Sequence, residues 1–129
     1  MADYMIAQVK DLKKGKYVII DDIPCKVVDI QISKPGKHGS AKARVVAIGI
    51  FNGEKKQLLK PVDAEVHIPI VEKKVGQILA DMGDQWQIMD MESYETFEVP
   101  KNPEVDANPG DEVEYMKAMG QIKIVRKRS

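Results

Sequence analysis

The stretch that decides the fold is P-C-K-V-V-D-I-Q-I-S-K-P-G-K-H-G-S-A-K-A-R-V-V-A-I-G-I-F, residues 24–51. Two β-type runs flank a polar centre. Pro24–Ile32 alternates from Val28, with Val28, Ile30 and Ile32 on one face and Asp29 and Gln31 on the other. Ala43–Phe51 is rich in β-branched residues and is followed by Asn52-Gly53, a two-residue hairpin-turn signal. Between the runs, Pro35 keeps Lys34 out of the helical region, and Gly36 and Gly39 permit positive φ on either side of Lys37-His38. The pattern predicts one long antiparallel hairpin whose polar tip presents Lys37 to solvent. Lys34, Lys37, Lys42 and Arg44 crowd that tip, and no acidic residue occurs between Asp29 and Glu54.

Outward from the hairpin, the pattern stays β. Leu12–Lys16 reads as a basic turn around Gly15, Tyr17–Ile20 as a strand, and Asp21–Pro24 as the turn back into the hairpin. Downstream, Glu54–Lys60 and Glu65–Val71 read as strands separated by a break at Pro61–Ala64. Five or so short strands without an amphipathic helix in about 70 residues predict a small SH3-like barrel. A boundary is expected near Pro69–Lys74, giving domains 1–69 and 70–129. The second half shows Val75–Met82, Gln85–Asp90, Tyr94–Val99, Asp111–Met119 and Gln121–Arg126 as strands, with a Pro/Asn/Gly-rich loop at Pro100–Gly110. That count fits an OB-type barrel, and equally a second SH3-like one.

The chain has 129 residues, with 20 basic and 20 acidic side chains. The zero net charge conceals a polarity: residues 1–69 hold twelve Lys/Arg against eight Asp/Glu, and residues 70–129 hold eight against twelve. An anionic partner is therefore expected to meet the first half. Four like charges at one tip repel, and phosphates explain them better than solubility does. Lys42 and Arg44, two apart, are expected on one strand face, where they can grip a backbone while Lys37 reaches further.

Enzyme chemistry finds little support. Gly36-Lys37 lacks the glycine spacing of a phosphate loop, and His38 stands where a magnesium-binding hydroxyl belongs. The G-x-x-G of Gly36–Gly39 sits between strands, whereas a KH clamp sits between helices. Asp21-Asp22 is a turn rather than an acid–base pair. His38 and His67 lack further ligands, so no metal site is predicted. Cys25, the only cysteine, reads as a core residue. Met1–Lys10 has no signal-peptide apolar centre, and no apolar run spans a bilayer, so a reducing, cytoplasmic compartment is expected, with no membrane partner. With few aromatics and a net acidic second half, a general single-strand binder is not expected there.

K-P-G-K-H-G-S-A-K-A-R (34–44) resembles the modification loop of the translation initiation factor 5A family in its archaeal form. The likeness extends to K-K-G-K-Y-V (13–18), P-C-K-V-V-D-I (24–30), A-R-V-V-A-I-G-I-F (43–51), Q-I-M-D (87–90), Y-E-T-F-E (94–98) and P-G-D-E-V-E-Y (109–115). It implies an all-β fold of two small barrels, SH3-like then OB. It implies that Lys37 is converted to hypusine or deoxyhypusine, and that Pro35, Gly36, His38, Gly39 and Ser40 form the loop positioning it. Ser40 departs from the histidine common in eukaryotic members. Lys34, Lys37, His38, Lys42 and Arg44 are the implied RNA and tRNA contacts. The implied partners are the ribosome (its RNA and proteins), peptidyl-tRNA and deoxyhypusine synthase. No catalytic residue, metal or bound cofactor is implied beyond the covalent modification. The competing reading of the residues is a stand-alone RNA-binding module that needs neither modification nor ribosome.

Overall fold

The structure is a computed structural model describing residues 4–34 and 41–128. Its chain forms two compact units, Met1–Ile70 and Val71–Ser129. The first holds β1 (Tyr4–Gln8), a 3-10 turn (Val9–Asp11), β2 (Tyr17–Ile20), β3 (Ile23–Ser33), β4 (Lys42–Gly49), β5 (Lys55–Pro61) and β6 (Glu65–Pro69). These make one sheet in the order β1-β6-β2-β3-β4-β5, curled into an SH3-like barrel. Inside lie Val9, Val18, Cys25, Val27, Val45 and Ala47, all nearly inaccessible. Each fully buried valine contributes roughly 1.5–3 kcal/mol, so alternate positions of these short strands hold the barrel together.

In the first unit, local geometry departs from the sequence reading in four places. β1 carries no signal strong enough to be predicted; it forms because Tyr4–Gln8 pairs with Pro69–Glu65. Asp21 and Asp22 both have positive φ (53° and 62°), so the β2–β3 turn is these two residues alone, and Ile23 and Pro24 already lie in β3. Asn52-Gly53 is not a two-residue turn. Ile48 pairs with Lys55, and the six residues between close with a Glu54 N–H bond to Asn52 Oδ1 (2.9 Å) and Gly53 at φ 70°. Finally, β3 has a bulge: Val27 pairs with Ala47 and Asp29 with Val46. Val28 is the extra residue and stands 39% exposed, so the inward sequence runs Cys25, Val27, Ile30. The apparent face Val28–Ile30–Ile32 is thus broken at its first member.

The second unit holds β7 (Glu72–Asp81), β8 (Gln85–Asp90), β9 (Thr96–Pro100), β10 (Glu112–Ala118) and β11 (Gln121–Lys127), in the order β11-β10-β7-β8-β9. A three-strand meander whose first strand also pairs with the fourth is the OB arrangement, and β11 returns beside β9 to close it. Of the two barrels left open by strand count, topology selects this one. Ile78, Trp86, Ile88, Val99, Val113, Tyr115 and Ile124 fill it. Tyr94, expected in a strand, lies in the β8–β9 turn at φ 62°, and β9 begins at Thr96.

Candidate functional site

β3 and β4 stay paired from Cys25↔Gly49 out to Ser33↔Lys42, one pair beyond Ala43, the last core residue of β4. The ladder ends where the polar tip begins. β4 alternates strictly: Ala43, Val45 and Ala47 are buried, while Lys42 and Arg44 point to the outer face. One face of the strand thereby carries both cations and the other secures the hairpin to the barrel. Arg44 sits opposite Gln31 on one side and Leu59 on the other, and its guanidinium donates to Gln57 Oε1 at 3.1 Å. A neutral acceptor orients that side chain without cancelling its charge. Lys34 and Lys42 are exposed, and none of the three cations has a carboxylate partner among the described residues.

The foot of the tip is tied down on the β4 side. Val62 N–H donates to the carbonyl of Ala41 at 3.0 Å, and Lys10 N–H donates to that of Val62 at 2.9 Å. Register also brings Lys60 of β5 opposite Ala43, one residue from Lys42. The sequence offered no hint of this, because only the β4–β5 pairing sets Lys60 beside the tip. Pro35, Gly36, Lys37, His38, Gly39 and Ser40 lie outside the described residues.

The remaining titratable groups are structural. Cys25 is buried, its thiol donates to the Ile23 carbonyl at 3.3 Å, and burial pushes its pKa up, so it is no nucleophile at neutral pH. His67 stacks on Tyr4 (4.2 Å between centroids) and lies 3.3 Å from Glu65 Oε2. Among the described residues no group of three metal-ligating side chains converges. In the second unit the buried Asp90 accepts from the Tyr115 hydroxyl and from the N–H groups of Glu92 (2.8 Å) and Ser93 (2.9 Å). The Tyr115 bond is the main reason its carboxyl is held at about 2, and burial, then the Asp90 bond, push the tyrosine's pKa upward. Sequence reading passed over this pair, whose members are 25 residues apart with no motif linking them.

The profile described as translation initiation factor 5A-like, N-terminal, matches residues 3–64. Translation initiation factor 5A of Methanopyrus kandleri is 57% identical over 122 residues, covering 92% of this chain and 90% of that protein. Its counterpart from Sulfolobus acidocaldarius is 58% identical over 122 residues, covering 92% and 93%. Among solved structures, the factor described as eukaryotic translation initiation factor 5A from Methanococcus jannaschii superposes with a TM-score of 0.93 at 48% identity, over 100% of both chains. A family protein from Naegleria fowleri gives 0.81 at 31% identity, over 99% of this chain and 100% of its own.

Proposed function

The chain belongs to the translation initiation factor 5A family, a family of translation factors and not of enzymes, and from that premise we propose that it works on the ribosome through Lys37. In this reading it sits in the cytoplasm, near the ribosomal exit site beside peptidyl-tRNA. Deoxyhypusine synthase transfers the aminobutyl group of spermidine to the Lys37 amine, the bond to spermidine's secondary nitrogen breaking to release 1,3-diaminopropane, with NAD as that enzyme's own cofactor. The product, deoxyhypusine or hypusine, promotes peptide bonds at stalling sequences and assists termination.

The observation that supports it is the hairpin ladder, which runs to Ser33↔Lys42 and ends among cations with no carboxylate partner among the described residues. Such an end suits phosphates. A lysine carries one ammonium on a four-carbon stem, whereas aminobutylation roughly doubles the stem and supplies a second amine. Charge then reaches deeper among phosphates and riboses. Holding the tRNA end aids catalysis by positioning reactants, so the factor needs neither a base nor a nucleophile of its own.

Peptide mass spectrometry of protein from its native cells tests this directly. An aminobutyl increment on Lys37 is expected, with one further oxygen if the product is hypusine. Lys37→Arg retains charge but cannot accept the group, and it should lose rescue of proline stalls in a translation assay. An unmodified Lys37, or full rescue by the arginine variant, would transfer the function to direct RNA binding by a plain basic hairpin.

A further inference from the structure

At the end of the second barrel where β8 turns into β9, charged side chains ring the mouth, and Lys117 and Glu95 among them are exposed. Val113 and Tyr115 of β10 face the core, so the two-residue period puts Lys117 on the same side. The register sets Glu72 opposite Lys117 and Lys74 opposite Tyr115. A cavity of about 200 Å³ opens there. Asp90 and Tyr115 form its floor, Phe97 and Ile122 an apolar wall. Gly76 leaves room for the floor: a Cβ there would lie 2.6 Å from Ile88 Cγ2 and 3.3 Å from Tyr115 Cε1.

The charges at this mouth are not all paired within the protein. Lys74 is committed, 3.4 Å from Glu72 and 3.9 Å from Asp90. Lys117 and Glu95 also line the cavity, yet neither side chain has an ion pair or hydrogen bond among the described residues. A simple anion would satisfy Lys117 and be repelled by Glu95; a simple cation would do the reverse. A zwitterion satisfies both. The volume lies below the roughly 300–1,000 Å³ typical of drug-sized ligands, which limits the occupant to one small molecule. We propose that this cavity binds a free α-amino acid, its carboxylate on Lys117, its ammonium on Glu95 and an aliphatic side chain against Phe97 and Ile122.

The test is a backbone-amide NMR titration of the full chain with L-leucine to tens of millimolar. Saturable shifts confined to Glu95, Thr96, Phe97 and Lys117 are expected. N-acetyl-leucine, which lacks the ammonium, and isoamylamine, which lacks the carboxylate, should each bind at least about tenfold more weakly, the loss of one charge-assisted contact. Lys117→Gln and Glu95→Gln should lose the same factor, with spectra unchanged away from the cavity. No saturable shift, shifts centred elsewhere, or equal binding of either analogue would overturn the proposal. The analogue comparison uses the unmutated protein, so it decides even if a variant misfolds. Failure here would leave the Lys37 reading untouched, since mass spectrometry at the hairpin tests that separately.

Discussion

A carboxylate can be buried only where hydrogen bonds replace its water, and Asp90, 3% exposed, receives three. Two come from the turn that follows it and one from Tyr115 on β10, so a single side chain fixes the β8–β9 turn and joins it to a neighbouring strand. Its pKa is lowered from 3.8 to about 2. A depressed folded-state pKa adds stability that is present above the unfolded value, near 4, and is lost as pH falls through about 2. The shift corresponds to roughly 2 kcal/mol. Asp90→Asn should therefore destabilise the second unit at neutral pH by about 1.5–3 kcal/mol and flatten its stability between pH 4 and pH 2. Urea unfolding followed by the fluorescence of Trp86, the only tryptophan, reads that unit alone. A variant with wild-type stability and an unchanged acid profile would mean that water satisfies these donors equally well.

Among the elements, the β3–β4 hairpin was the most legible in the sequence and the one whose detail was most misread. Two β-branched runs around a Pro/Gly-rich centre leave few alternatives to a hairpin. The face of each residue was another matter, because a bulge shifts the parity of everything beyond it. Both Val27 and Val28 suit a core, and only pairing with Ala47 and Val46 decides that Val28 is the extra one. Bulges bend a strand and raise its twist, so this one is expected to set the direction of the basic end. Deleting Val28 should restore a regular ladder, since Val27 and Ile30 then alternate without interruption. The prediction is a folded protein with little change in its thermal melt, but a hairpin aimed differently and, on the function proposed for Lys37, much weaker rescue of stalled ribosomes. Full rescue would show that the bulge does not set the tip's direction.

For the whole molecule, charge is divided between the two units, and the basic share lies with the hairpin. Association with a phosphate-rich partner should release counterions in proportion to the contacts made, so affinity should fall as salt rises. If Lys42 meets a phosphate, Lys42→Ala should weaken ribosome association and lower the slope of log affinity against log salt by about 0.7–0.9. Sedimentation with ribosomes across a salt series measures this. An unchanged slope would remove Lys42 from the phosphate contacts and leave the outer face of β4 to Arg44.

The sequence by itself determined the all-β class, the strand-rich halves, the hairpin and its cations, because period-two hydrophobicity and turn residues act locally and survive without knowledge of partners. The family likeness singled out Lys37. Only the tertiary structure decided how the strands outside that hairpin pair. It recruited the unremarkable Tyr4–Gln8 as β1, chose an OB topology over a second SH3-like one, and brought Lys60 beside the tip. It also joined Asp90 to Tyr115 and left Lys117 and Glu95 facing one cavity. Each of these depends on register between segments distant in sequence, and register is set by the shared burial of many side chains, which no single segment encodes.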